Sequence, residues 1–355
     1  MVPGRRLPAG EVVDLHLDAP ETGQEAVGDV GDPHPVSASP ASGGPRRRSP
    51  GWPPGRSGLG HASPVPLPSL RRRPTSPPDP DPSLPTAVFL HAHPDDEALL
   101  TAGTMATLAA RGHRVVLLVA TAGEAGLADA ALQATDLGAR RTAELAASAA
   151  ALGVARTEVL GYADSGLGPE PGPVPPPGHL PRLADAAVDD VAVRVAAVLD
   201  AEDAALLTSY DAAGGYGHPD HVAIHRIGAR AAQLAARTPV LLEATAPRDR
   251  LLAAATRVNR LLPRRHRVDL GPWQSAYSAT TDITHVIDVR GQARARRAAM
   301  AAHASQATGG IRTLGVFRRI PSPLFGWAFG REWYRQPGLP PRDPRDRYRD
   351  VFATL

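Results

Sequence analysis

The sequence contains no cysteine. Disulfides, thiol nucleophiles and thiolate metal sites are therefore excluded, and any metal has to be held by His, Asp or Glu. Lysine is absent too, so all 39 basic residues are arginine. The accompanying Ala and Pro bias resembles GC-rich coding, which weakens any argument from arginine clusters. Aromatics make up only 4% of the chain, so a core has to be built from Ala, Val and Leu. No run of about 18 apolar residues occurs, and no membrane span is expected. The pI is near 9.6, but the net charge is only +3. That balance does not call for a nucleic-acid partner. Arg5 and Arg6 are followed by no apolar stretch, so they do not read as an export signal, and the expected compartment is cytoplasmic.

What is present divides unevenly. The chain has 355 residues, 43% of them hydrophobic, enough for one or two domains with a sizeable core. Residues 1–83 are rich in Pro, Gly, Ser and Arg and show neither helical nor strand periodicity. They are expected to be disordered, because they cannot bury enough apolar surface to offset their ordering entropy. From residue 84 to about 310 the pattern is that of a folded domain, and residues 311–355 read as a C-terminal extension packing on or near it.

Within the domain, short apolar runs alternate with helical patterns. "TAVFLHA", "HRVVLLVAT", "TEVLGY", "DAALLTSY" and "PVLLEATA" read as strands, with "THVIDV" as a further one. "DEALLTAGTMATLAARG" and "GARRTAELAASAAALGV" read as helices closed at Gly112 and Gly153. Further helices are expected over "RLADAAVDDVAVRVAAVLDAE", from "HPDH" onward, and from Arg290 to Ser305, while the Pro-rich stretch before His179 reads as a long surface loop. The alternation predicts an α/β fold: a Rossmann-like three-layer sandwich with a mostly parallel sheet, preceded by the disordered segment. Ligands bind such folds beyond the carboxyl ends of the strands.

Two clusters fall at such strand ends, each before a helix. The first is His93-Pro94-Asp95-Asp96-Glu97, and the second is "GGYGHPDH", from Gly214 to His221. Acidic residues at a helix start can simply serve as caps. Two His-Pro-Asp clusters at one sheet edge argue instead for a joint site. Two His and one carboxylate make a three-ligand metal site with room for water. A carboxylate and a histidine are left over to act as general base and oxyanion donor.

The paired motifs "AHPDDEAL" and "GGYGHPDH" resemble the LmbE-like, or PIG-L, family of zinc-dependent N-deacetylases, which includes a deacetylase and a conjugate amidase of mycothiol metabolism. The resemblance runs from about Ala87 to His225, and more weakly to "AHASQ" near residue 303. It implies His93, Asp96 and His221 as ligands of one Zn2+, with Fe2+ as the alternative ion. It implies Asp95 as general base, His218 as electrophile or acid, Asp220 holding the His218 ring, and Tyr216 as a pocket-side hydroxyl. The substrate would be a small N-acetylated sugar or glycoconjugate of the N-acetylglucosaminyl type. "TAGEAG", "RRTAEL" and "ADSG" resemble smaller family motifs. They place Arg141 and Asp164 near the substrate, although Glu124 also reads as a loop carboxylate, Arg141 and Glu144 as a helix-surface pair, and Asp164 as a turn residue.

His91 reads as a packed histidine rather than a fourth ligand, and His225 as either a supporting group or a surface residue. No role is read for "GVFRRIPSPLFGWAFGREWYR". Three alternatives remain: an amidase of a thiol conjugate or another secondary-metabolite amide, an Fe(II) oxygenase built on the same two-His-one-carboxylate triad, and a sugar-binding protein without turnover.

Overall fold

The computed structural model describes residues 78–126, 137–167, 174–175, 179–307 and 320–355, without the side chains of residues 322 and 323. Nearly all of the segment expected to be disordered, and most of the Pro-rich loop, lie outside the described residues.

Five strands form the parallel body of one sheet: β1 (Thr86–His91), β2 (Val115–Thr121), β3 (Arg156–Tyr162), β4 (Ala204–Tyr210) and β5 (Val240–Thr245). They lie in the order β3-β2-β1-β4-β5. β6 (His285–Asp288) and β7 (Arg331–Arg335) complete the sheet, with β7 antiparallel to both β5 and β6. β2 and β4 are buried at every position. This is why they read as unbroken apolar runs rather than alternating ones: a parallel strand covered by helices has no solvent face.

The alternation of side chains along β1 sorts the core into two halves. Ala87 and Phe89 pack against α1 (Asp96–Leu100), α2 (Ala102–Ala110), α3 (Leu137–Leu152) and α7 (Ala293–Ala302) through residues such as Met105, Leu145 and Met300. Val88 and Leu90 pack against α4 (Val188–Ala201) and α5 (Pro219–Leu234) through Val191, Val195, Ile224 and Ile227. The result is the Rossmann-like three-layer sandwich that the strand–helix alternation predicts.

Three expectations need correction. The helix after the first cluster is broken at Thr101 into α1 and α2; the Thr101 hydroxyl lies 2.8 Å from His91 Nε2. The helix before β4 starts at Val188, after a separate turn at Leu183–Asp185. "REWYR" is β7, a strand that the sequence pattern does not announce because Glu332 points into the interior. Its carboxylate accepts the N–H groups of Gly103 and Thr104 at 2.8 Å each, where α2 begins. It also faces the buried Arg296 at 3.0 Å. Two further helices, α6 (Arg248–Leu261) and α8 (Ser322–Ala328), follow β5 and precede β7 respectively.

The chain steps outward from β1 in both directions: β2 and β3 lie on one side, β4 and β5 on the other. Beyond the carboxyl ends of β1 and β4 the connections diverge and leave a crevice. The first His/Asp cluster follows β1 and the second follows β4.

Candidate active site

The first cluster leaves β1 through a turn that places Asp95 at φ 113°, a left-handed conformation unusual for a residue with a Cβ. The second cluster leaves β4 through Gly214 and Gly215, both at positive φ (61° and 64°). His218 then caps α5, with Pro219 at the first helical position. Asp211 ties this turn down. Its carboxylate accepts the N–H of Gly215 at 3.0 Å, the Thr245 hydroxyl at the end of β5, and the Ser278 hydroxyl at 3.2 Å.

The two clusters meet in the crevice. Asp96 Oδ2 lies 3.3 Å from His93 Nδ1 and 3.3 Å from His221 Nε2. All three residues are buried. Tyr210, the last residue of β4, donates its hydroxyl to the same Asp96 oxygen at 2.7 Å and accepts the Ala92 N–H at 3.0 Å. Its ring stacks on His221 with centroids 4.1 Å apart and 9° between planes. His91 stands behind Tyr210, with Nδ1 3.3 Å from the Tyr210 hydroxyl and Nε2 committed to Thr101. Burial pushes its pKa down to about 4, so it remains a neutral packed ring.

His93 also collects carboxylates on its other nitrogen. Nε2 lies 3.1 Å from Asp220 Oδ2 and 3.5 Å from Asp164 Oδ1. Burial would raise the Asp164 pKa, but His93 and the N–H of Gly166 outweigh it and hold the group at about 2. The Asp220 carboxylate also accepts the Ser165 N–H at 3.0 Å. It does not hold the His218 ring. That ring is held by the main chain of Asp220, whose N–H is donated to His218 Nδ1 at 3.1 Å. With Nδ1 an acceptor, the proton of the neutral imidazole sits on Nε2. Burial, followed by His93 and His221, pushes the His218 pKa down to about 4, so the ring is neutral at pH 7.

Asp95 stands at the edge of this group. Burial pushes its pKa up to about 6, against the opposing pull of Arg141. The Arg141 guanidinium lies 3.5 Å from the Asp95 carboxylate and donates to Gly123 O at 2.5 Å and Pro94 O at 2.6 Å. Gly123 and Gly126 lie against that guanidinium so closely that a Cβ on either would collide with it. Arg141 is thus enclosed and engaged with the Asp95 turn. It is Arg140, not Arg141, that faces Glu144 along the helix, at 3.6 Å. Glu124 accepts the Asp164 N–H at 2.8 Å. Tyr216 is 51% exposed, with its ring 5.2 Å from His221 and 6.1 Å from His218. His225 is half-buried, with Nδ1 3.1 Å from Tyr210 O and 3.3 Å from Glu243.

Several participants were not legible in the sequence. Tyr210 is hidden in an apolar strand run. Ser148 carries no motif, Glu97 and Ser165 sit in "AHPDDEAL" and "ADSG" with no role read for them, and His303 belongs only to the weaker "AHASQ" match.

The group can hold a cation. Four carboxylates (Asp95, Asp96, Asp164, Asp220) surround it against one guanidinium, and both nitrogens of the buried His221 lack a hydrogen-bond partner. Ligand atoms of His93, His218 and His221 lie within 4.8 Å of one another, as do those of His93, Asp164, His218 and Asp220, and Asp96 Oδ2 stands 3.3 Å from both His93 and His221.

Residues 88–232 match the family model for GlcNAc-PI de-N-acetylase, PIG-L. A 1D-myo-inositol 2-acetamido-2-deoxy-alpha-D-glucopyranoside deacetylase of Kineococcus radiotolerans is 34% identical over 298 residues, covering 76% of this chain and 82% of the relative. The chain belongs to this family. A second PIG-L relative of the same name, from a Mycobacterium species (strain KMS), is 34% identical over 288 residues, covering 77% of this chain and 90% of that protein. Among solved structures, the N,N'-diacetylchitobiose deacetylase of Pyrococcus horikoshii aligns with 71% of this chain and 82% of its own, at 18% identity and a TM-score of 0.41. The PIG-L match runs from β1 through most of α5 and so takes in both clusters of the crevice.

Proposed function

We propose that the protein is a metal-dependent hydrolase that removes the acetyl group from an N-acetylglucosaminyl-type compound. One observation carries the reading: a spare aspartate, Asp95, stands beside a buried two-His-one-Asp group at the sheet's switch point. The names of the relatives at 34% identity, deacetylases of a 2-acetamido-glucopyranoside, supply the substrate class.

In this reading His93, Asp96 and His221 hold the ion. When bound, Zn2+ lowers the pKa of water to about 7 and polarises a carbonyl oxygen; Fe2+ is the alternative ion. Asp95 takes the proton of the attacking water as the O–C bond forms at the acetamide carbon. Its position near pH 6 suits a base that works at neutrality. His218, neutral and with its proton on Nε2, donates a hydrogen bond to the oxygen as it gains charge. The C–N bond then breaks. Asp95 returns its proton to the departing nitrogen, giving a free amine, and the acid product loses its own proton to solvent as acetate. Tyr216, at the exposed rim, is placed to meet the substrate. Asp164 and Asp220 fix His93, and Arg141 fixes Asp95.

The test is to incubate the zinc-loaded protein with a panel of N-acetylglucosaminyl compounds and thiol conjugates and to read free amine and acetate. Asp95→Asn should lower kcat by roughly 100-fold or more, the scale of a lost general base, while bound zinc stays at the wild-type level. Zinc loss in parallel with activity would make Asp95 a ligand and sink the assignment.

A further inference from the structure

Beneath the crevice lies a second, fully enclosed group that the reaction above does not use. Glu97, Ser148 and His303 are each 0% exposed. Glu97 Oε1 takes the Ser148 hydroxyl at 2.5 Å and faces His303 Nε2 at 2.6 Å. Burial would raise the Glu97 pKa and lower that of His303, yet His303 and Ser148 hold Glu97 below its usual range, and Glu97 holds His303 above its own. Three helices contribute to it: α1 supplies Glu97, α3 supplies Ser148, and His303 ends α7. Burying an ion pair is costly and does not by itself argue for stability. What distinguishes this pair is its remaining oxygen. Glu97 Oε2 accepts the main-chain N–H of Asp95 at 2.9 Å. Asp95 is the residue at φ 113°, and its side chain makes no capping bond to its own helix. A residue in so sparsely populated a conformation stays there only if its surroundings hold it.

We propose that Glu97, clamped by His303 and Ser148, is a positioning residue for the hydrolysis: it holds the Asp95 backbone in the left-handed turn and so aims the base carboxylate. The inference rests on the reading of Asp95 as general base. Arg141 acts on the same turn from the other side, through Pro94 O and the Asp95 carboxylate. Glu97 itself reaches neither substrate nor ion. Its influence is on geometry, and a displacement of about 1 Å at a reacting group can cost 10²-fold in rate.

The test uses the zinc-loaded full-length chain. Glu97→Met keeps the length of the side chain but has no carboxylate, so the Asp95 N–H loses its acceptor. The variant should lose about 10- to 100-fold in kcat, with KM and zinc content unchanged. Its crystal structure should show Asp95 out of the left-handed region. Wild-type kcat, a loss confined to KM or zinc, or an unmoved Asp95 would each overturn the proposal. If Glu97→Met does not fold, Ser148→Ala decides, since it removes one bond from the clamp. A kcat loss of a few-fold at constant KM supports the proposal, and wild-type kcat overturns it. Should the wild-type protein release no acetate from any substrate, the deacetylase reading fails, and the conformation of Asp95 in the variant's crystal structure then decides the positioning role alone.

Discussion

Tyr210 concentrates several demands in one side chain. Its hydroxyl donates to Asp96, accepts from Ala92, and its ring lies flat on His221. Groups that orient metal ligands typically change metal affinity 10- to 100-fold when lost. Tyr210→Phe keeps the stacked ring and removes only the hydroxyl. It should weaken zinc binding by roughly tenfold or more, read by competition with a chromogenic chelator, while the stacked position of His221 persists in the crystal. A zinc affinity equal to wild type would mean that Asp96 needs no help from β4. Residues of this kind explain where the sequence stops being informative. His93, Asp95, Asp96, His218 and His221 announce themselves because ionisable groups are out of place at the end of an apolar strand. Tyr210 does not, since an aromatic residue closing an apolar strand is also what a core requires. Arg141 does not read as a helix-surface charge in the structure: two glycines make room for it inside.

At the scale of elements, the parallel body of the sheet is well announced by its strand–helix alternation and β6 by "THVIDV", while β7 is not. β6 and β7 are both short, and β7 carries charge at Arg331, Glu332 and Arg335, so it lacks the apolar signature of the other strands. The stability of β6 and β7 is bound to a buried histidine. His285 in β6 lies 2.8 Å from the Thr284 hydroxyl, packs on the Tyr348 ring at 4.9 Å, and is fully buried. Burial, with Arg342 nearby, pushes its pKa down from 6.5 to about 4. The unfolded chain therefore binds a proton at this residue more readily than the folded one. The folded state keeps its full advantage above pH 6.5 and loses it as the pH falls from 6.5 towards 4. Between pH 6.5 and 5 the loss should approach about 2 kcal/mol, at 1.36 kcal/mol per pH unit. Urea unfolding of wild type and His285→Gln at both pH values measures this; the variant should lack that part of the pH slope. Equal slopes would place the acid sensitivity elsewhere.

At the scale of the whole molecule, the core owes nothing to the ion. Both halves are assembled from strand and helix residues, and the ligands stand on the ends of elements that are already packed. Removing zinc with a chelator should therefore abolish hydrolysis reversibly while the far-ultraviolet circular dichroism stays unchanged, with the melting temperature falling only by the linkage of binding to folding. Collapse of the spectrum on chelation would show instead that the metal is structural. No described helix is long and apolar enough to cross a membrane. The order of the strands has one more consequence, and it concerns time rather than place. β1 and β4 are neighbours in the sheet, yet His218 follows His93 by about 125 residues, so their pairing is a high-separation contact of the kind that forms slowly. A chain leaving the ribosome has the first His/Asp cluster long before the second and cannot assemble the two-His-one-Asp group until β4 has docked. Capture of the proposed ion would thus mark the moment at which the two halves of the sheet first close on one another.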